Sequence, residues 1–535
     1  MLIDFSTSLD SEFTADICII GSGAAGFASS LSFINSGLNV IVLEGGNEFF
    51  NQEAADLHKA ELVGKFHGGI HEGRERIIGG TTTKWGGQVF PFMKEDFCVR
   101  PHVPLSGWPL TFEDLKNFYD KAEKILGTDS SVPFSYKPWK DWKIKEPTLN
   151  TEKLDFIFTK WCKIPNLFIQ HGTKIKKSKN IILLKNANVT ELLPNAEHTK
   201  VNAVSISTLN NKVGVVNAKY FISAGGAFET VRLFLNSKKF SSSGIGNQNG
   251  LVGLYIQDHV ACVVGKIFPE SRTKFHAIFD PFYKNGFKYF PRLRMSPKWA
   301  NEKKLLFASS QIVFDVQAKN TLTIAKEVFA KLRNKKLPIK TIIYLIFNPY
   351  NSINLLNILF RWKLKNRGFS PKEGPIWLEI HSEQNPSTEN SITLSNEKDS
   401  LGMPRIKLNW NISELTSNTI VEMAKLTASE IEQSGIAKVE LENWVLNHNT
   451  NNHEWMTDSY HQAGGLRMSL DHKTGVVDSD CKVYGIDNLY VASSAVFPTS
   501  SFSNPTMTII ALAIRIAECI ISSSGIVKNP KMDKI

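Results

Sequence analysis

The first fifty residues constrain this chain more than any other stretch. Ile17-Cys18-Ile19-Ile20 is an apolar run suited to a buried parallel strand, and it breaks at Gly21-Ser22-Gly23-Ala24-Ala25-Gly26. Residues 24–36 read as a helix and Asn39–Leu43 as a second strand, which completes a βαβ unit. In a GxGxxG set between strand and helix, the first glycine permits a tight turn. The second lets the backbone approach a pyrophosphate, and the third lets the helix pack closely on the strand. The helix N-terminus offers free N–H groups and a positive dipole end to phosphates. Glu44 ends the second strand, 18 residues beyond Gly26, where an acid accepts from ribose hydroxyls. The bland alternative is a Gly-rich turn with no ligand; strand, helix and acid together favour a dinucleotide site. An acid there, with no nearby Arg, disfavours a 2′-phosphate and hence NADP, which leaves FAD and NAD. A single fingerprint at the start of a long chain favours FAD held by remote segments.

The rest of the 535 residues supplies the remainder of an α/β chain, α+β overall. At about 150 residues per domain the length suggests three to four units. Thr111-Phe112-Glu113-Asp114 has capping-box spacing before a helix running to about Leu126. Strands are expected at 181–184, 187–193, 201–207, 219–224 and 488–492, and helices at 226–236 and 506–522. Alternation at Ile376, Leu378 and Ile380, and at Ile406, Leu408 and Trp410, suggests antiparallel strands with one solvated face. The expected architecture is a Rossmann-type FAD-binding domain interwoven with a substrate-binding domain on a mostly antiparallel sheet. The FAD domain would take 1–100, 167–260 and 456–535. Covering helices would occupy 101–166 and the substrate domain 261–455.

Composition excludes several classes. Hydrophobic residues at 42% and charged residues at 21% are ordinary for a globular chain and exclude wholesale disorder. The six cysteines (18, 98, 162, 262, 481 and 519) have no CxxC spacing, and their isolation fits a reducing compartment. The acidic first sixteen residues do not read as a secretory signal, and no uninterrupted apolar run reaches 18 residues. The expected location is cytoplasmic, or peripheral to the inner face of a membrane. HExxH, GxSxG and P-loop motifs are absent. His448 and His453 sit in a polar stretch that reads as a solvated loop, so no metal site is expected. The net charge of +11 concentrates between Lys326 and Arg367, where ten bases face one acid, Glu327. That segment carries +9 and leaves +2 for the remainder, so the charge does not point to nucleic acid. Between its basic clusters runs the apolar but Asn-interrupted stretch 341–360. Two readings stay open: a solvated helix pair in the substrate domain, or a peripheral membrane contact through 326–367.

Beyond the fingerprint, the chain resembles the glucose–methanol–choline (GMC) oxidoreductases, flavoenzymes that oxidise alcohols. The matching stretches are Leu43-Glu44-Gly45-Gly46, GGTTTKWGGQ at 79–88, SAGGAFETVRLFL at 223–235 and GLVGLYIQDH at 250–259. SEQNPSTENSITLSNEKDSLGMPRIKLNW at 382–410 follows, then the C-terminal HQAGGLRM and VASSAVFPTSSFSNPTMT blocks, all in the family's order. The resemblance adds Gly79, Gly80, Thr81, Val189, Ala224, Gly225, Ser493, Pro505 and Thr506 to Gly21, Ser22, Gly23, Ala25, Gly26 and Glu44 as FAD-binding residues. Val189, Ala224 and Gly225 are equally explicable as sheet core. Pro505 and Thr506 precede a helix whose N-terminal amides suit the flavin's pyrimidine end.

The same resemblance implies a catalytic base at His461 and a partner at Asn504. Alcohol oxidation requires a proton acceptor for the hydroxyl while hydride leaves for flavin N5, and neutral imidazole suits that task. The Asn amide would hold the same hydroxyl and orient it. The implied reaction is FAD-dependent oxidation of a CH–OH donor, a sugar, cyclitol or polyol, with an unidentified electron acceptor. A flavin-retaining lyase and a non-catalytic flavin-binding protein are the alternatives. Two departures stand out: Gly465-Leu466 replaces the Thr-Cys of many relatives, and Lys84 replaces the histidine through which some relatives bond flavin. The second implies non-covalent FAD.

Overall fold

The computed structural model describes residues 1–314, 343, 347–368, 374–451 and 454–524. His453 and much of the basic segment therefore lie outside the described residues.

Three sheets organise the described residues. In the first, β1 (Leu2–Asp4), β7 (Ile181–Lys185), β3 (Val40–Leu43), β2 (Glu12–Ile20) and β10 (Val213–Ser223) lie side by side and parallel. The outer edge of β10 is shared. Its first half pairs antiparallel with β9 (Val201–Ser207), which leads to β8 (Asn188–Pro194), and its last residues pair parallel with β20 (Leu489–Val491). The strand expected at 17–20 thus begins at Glu12. The added residues are partly exposed, so the apolar run marks only its buried half.

Strand β3, the second half of β2 and the last residues of β10 are buried because helices cover the sheet. Ala24–Ser32 and Phe112–Leu126 both pack against Thr506–Ser523, whose Ile510, Leu512, Ile516 and Ile520 are in the core. By length and composition that last helix is apolar enough to cross a membrane, with mean hydropathy 1.6 over 18 residues, but it is a buried helix here. The capping box at Thr111 forms as its spacing predicts, with Asp114 Oδ2 accepting from the Thr111 backbone N–H at 2.8 Å.

The second sheet is antiparallel, in the order β18 (Ala437–Leu441), β11 (Val260–Pro269), β15 (Ile376–Ser382), β14 (Ala308–Phe314), β13 (Phe287–Met295), β6 (Leu154–Trp161) and β5 (Gln88–Val89). β12 (Phe282–Lys284) and β19 (Thr457–Asp458) join it at β13 and β11. Strand β6 alters one expectation. The stretch 101–166, read as covering helices, supplies one such helix and then an eight-residue strand of this sheet, because Phe156 and Phe158 fill its core. The helix Glu414–Gln433 covers one face of the sheet. On β15 Ile376, Leu378 and Ile380 are buried, as alternation predicts, while the other face is half-buried and its His381 lines the interior cavity described below. The third sheet, β16 (Ser391–Lys398), β17 (Pro404–Trp410) and β4 (Ala60–Gly64), ties the N-terminal region to the chain beyond residue 390.

Candidate active site

Ligand sites in open α/β sheets form beyond the carboxyl ends of the strands. Here four parallel strands end at residues that sequence reasoning selected: β2 at Gly21, β3 at Glu44, β10 at Ala224 and β20 just before Ser493. All four residues line one cavity of about 650 Å³ that runs from this sheet to the antiparallel one.

The Gly-rich turn is built as its spacing requires. Gly21 has φ of +103°, and a Cβ on Gly26 would stand 2.0 Å from the Gly21 carbonyl oxygen. A Cβ at Gly23 would meet nothing within 4 Å, so the helix N-terminus opens into free space. The 79–83 segment closes over this turn: the Gly79 N–H donates to the Ser22 carbonyl at 3.1 Å, and a Cβ on Gly80 would lie 2.9 Å from the Gly23 Cα. Glu44 is buried. Its Oε2 accepts from Ser22 N (3.1 Å) and Ser22 Oγ (2.7 Å), and its Oε1 accepts from Gly46 N (2.9 Å). Burial raises its carboxyl above the ordinary value, against those donors and Arg76. Ser22, Ala25, Thr81, Val189, Gly225, Pro505 and Thr506 also line the cavity, whereas Gly26 and Gly79 stand behind it as packing and turn residues. An open turn, a buried acid and a helix N-terminus at one cavity fit a dinucleotide.

At the other end the C-terminal loops bring His461 and Asn504 together, 43 residues apart in sequence. Asn504 Nδ2 donates to His461 Nε2 at 3.0 Å, and Asn504 Oδ1 has no partner among the described residues. On the opposite ring nitrogen, Ser459 Oγ lies 3.1 Å from Nδ1 and donates its own proton to the His259 carbonyl at 3.1 Å. A hydroxyl that donates there must accept from the ring, so the network puts the imidazole proton on Nδ1 and the lone pair on Nε2. Burial, with His259, His381 and Arg292 nearby, holds His461 well below the ordinary histidine value of 6.5. The ring is therefore neutral at neutral pH with an unprotonated nitrogen at the cavity.

Residues 386–513 match the family described as GMC oxidoreductase. The chain is 23% identical to the 2-methyl-1,2-propanediol dehydrogenase of Mycolicibacterium austroafricanum, across 94% of this chain and 95% of the relative. It is 20% identical to the fructose dehydrogenase large subunit of Gluconobacter japonicus, across 95% and 98%. Among solved structures, a fungal aryl-alcohol oxidase superimposes with a TM-score of 0.59 at 15% identity, covering 96% of this chain and all (100%) of that one. Formate oxidase superimposes at 0.57 and 16%, covering 96% and 99%. The chain is similar to the GMC oxidoreductases, by the family match over residues 386–513 and by relatives along nearly its whole length.

These are flavin-dependent enzymes, dehydrogenases and oxidases of alcohols. Several residues that shape the site were not singled out from the sequence. Arg76 reaches Asn188 Oδ1 (3.2 Å) and Glu229 Oε2 (2.6 Å), and Arg74 takes Glu229 Oε1 (3.0 Å), beside the cavity. Burial pushes Glu229 up, but Arg76, Arg232 and Arg74 together hold it far below the ordinary carboxylate value. Its place in the first turn of the helix expected at 226–236 was visible, its three partners were not.

Behind His461, Asp258 Oδ1 accepts from the backbone N–H groups of His259 (2.7 Å), Ser459 (3.3 Å) and His461 (2.8 Å). His67 Nε2 lies 3.2 Å from Asp258 Oδ2, and Asp458 in turn accepts from Gly68 and Gly69. These three buried side chains gather their ligand-type atoms within 4.8 Å, yet the carboxylates serve backbone amides, which makes the group a brace for the His461 loop. The antiparallel sheet adds His381, which contacts Glu379 at 3.1 Å, and Arg292, whose guanidinium burial pulls down to about 10. Burial also lowers His259, to about 4.

Proposed function

We propose that this protein oxidises the carbinol of a sugar, cyclitol or related polyol to a carbonyl, with non-covalent FAD and with His461 as the base. The observation that carries the reading is the His461 Nε2 lone pair held 3.0 Å from the Asn504 amide at the cavity. A substrate hydroxyl that displaces the Asn504–His461 bond gives its proton to Nε2 while Asn504 Nδ2 donates to the same oxygen, which fixes the carbinol C–H in one direction. The charge gained by the ring is stabilised through Nδ1–H, Ser459 and the His259 carbonyl. Bound FAD supplies the acceptor for the hydride. The cradle that would hold it is the open Gly23 turn, Glu44, the 79–81 segment and the start of the Thr506–Ser523 helix.

Non-covalent attachment is supported by Lys84, whose Nζ is committed to Glu75 Oε1 at 2.5 Å. The polyol class is supported by the printed activities of the relatives, a propanediol and a fructose dehydrogenase. An anaerobic screen of sugars, cyclitols and polyols tests the reaction: the matching substrate bleaches the yellow flavin absorbance. Turnover with the absorbance intact would indicate a lyase. His461→Ala is expected to retain FAD and to slow flavin reduction about 100-fold or more. Unchanged reduction would remove His461 from the role of base. Acid precipitation of the purified protein tests attachment, since non-covalent FAD stays in the supernatant.

We propose as well that the Pro349–Lys365 helix rests on an anionic membrane surface. Ile353, Leu356, Phe360 and Leu364, spaced three and four apart, are 66%, 65%, 49% and 72% exposed and form one apolar stripe, with Lys363 and Lys365 at its end. An apolar stripe with a basic flank matches an anionic headgroup layer. Co-sedimentation with phosphatidylserine vesicles should fall sharply for the Leu356→Glu/Phe360→Glu double variant and be weak with neutral phosphatidylcholine. Equal binding by the double variant would count against the proposal.

A further inference from the structure

The face of the antiparallel sheet that looks into the cavity carries a polar row. Gln311 on β14 is paired directly with Glu379 on β15, and Ser309 with His381. The β13–β14 register, Leu293 with Ser310 and Arg294 with Ser309, sets Arg292 level with Gln311 on that same face. Arg292, Gln311 and His381 all line the cavity that holds His461 and Asn504.

Arg292 is the anomaly in this row. Its side chain is 94% buried, at 6% exposure, and among the described residues it makes no hydrogen bond and no ion pair within 4.0 Å. Nε and Nη2 are both without a partner. Glu379, the acid whose field it feels, is hydrogen-bonded to His381 instead. A buried guanidinium left unpaired is strongly unfavourable unless a counter-anion meets it. Arginine is also the side chain whose planar fork fits a carboxylate through two parallel hydrogen bonds. Its charge reaches His461, whose basicity it helps to lower.

We propose that Arg292 anchors a carboxylate of the substrate, so that the alcohol oxidised at His461 and Asn504 belongs to a hydroxy acid or sugar acid. Gln311 and His381 flank the anchor and bond the adjacent hydroxyls. The proposal rests on the reading of His461 and Asn504 as the oxidising centre, and its test separates the two.

The holoenzyme is given matched pairs, glucuronate against glucose, gluconate against glucitol and glycerate against glycerol, with anaerobic flavin reduction as the readout. Charge-assisted bonding predicts that kcat/KM for the acid exceeds that of its neutral partner by about tenfold to 100-fold. That ratio should collapse toward one in Arg292→Met and survive in part in Arg292→Lys. Calorimetric binding of glutarate, but not of glutaramide, to the wild-type holoenzyme is the expected result independent of turnover. Reduction by both members of each pair at equal efficiency would overturn the carboxylate anchor and leave alcohol oxidation standing. If no alcohol of either kind reduces the flavin, the oxidising centre fails, and glutarate binding then decides the anchor alone.

Discussion

His259, His381 and His461 crowd one end of the cavity, and burial lowers all three below the ordinary value of 6.5. The consequence for stability has a definite sign. Between the lowered folded values and 6.5 the unfolded chain binds more protons than the folded one, so stability rises with pH across that window. Stability should therefore be fully present above about pH 6.5 and fall as the pH drops through it toward about 4, the His259 value. Urea midpoints measured from pH 7.5 to 4.5 should show this decline, with a shallower slope in His381→Asn; a flat profile would show that these rings are not held neutral. Of the residues involved, His461 and Asn504 were legible through motif resemblance. His381 and Arg292 were not, because period-two alternation announces a strand and says nothing of what its polar face will meet.

At the scale of elements, the nucleotide cradle depends on how closely the Ala24–Ser32 helix approaches β2. With only 2.0 Å between a Gly26 Cβ and the Gly21 carbonyl oxygen, the backbone itself must move to admit a methyl group. Gly26→Ala is expected to destabilise by about 1–3 kcal/mol or more and to purify with depleted flavin. An unchanged melting temperature with full flavin content would show that the turn relaxes freely. Most elements around this cradle were legible: the βαβ unit, the capped helix after Thr111 and the strands of the parallel sheet lie within a few residues of their expected positions. The strand β6 was not, since a short aromatic run bounded by loops leaves its partner unspecified. Pairing with β13, more than 120 residues later in the chain, is what makes it a strand of the second sheet.

Across the whole molecule, contacts distant in sequence tie separate segments of the chain together. Arg100 grips Glu383 with two bonds of 2.7 Å, both side chains almost fully buried, and so ties the chain after the flavin segment to the end of β15. Glu383→Leu should cost about 3–5 kcal/mol by stranding the guanidinium, and adding Arg100→Met should recover most of it; chemical denaturation followed by tryptophan fluorescence measures both. If the double variant were no more stable than the single one, the loss would lie in packing and not in the unpaired charge. Arg361 and Arg367 show the same economy of charge, since they bond Asp280 and the His276 and Ala277 carbonyls, respectively. Part of the basic excess is thus spent inside the fold. The amino-acid sequence alone determined the dinucleotide turn and the parallel strands, because short-range spacing encodes them, while the His461 and Asn504 pair was only implied by family resemblance. Only the tertiary structure decided that four strand ends share one cavity, that Ser459 sets the His461 tautomer and that Arg292 is buried without a partner. Those properties come from distances between residues far apart in the chain, and burial and charge pairing exist only once the chain has closed around them.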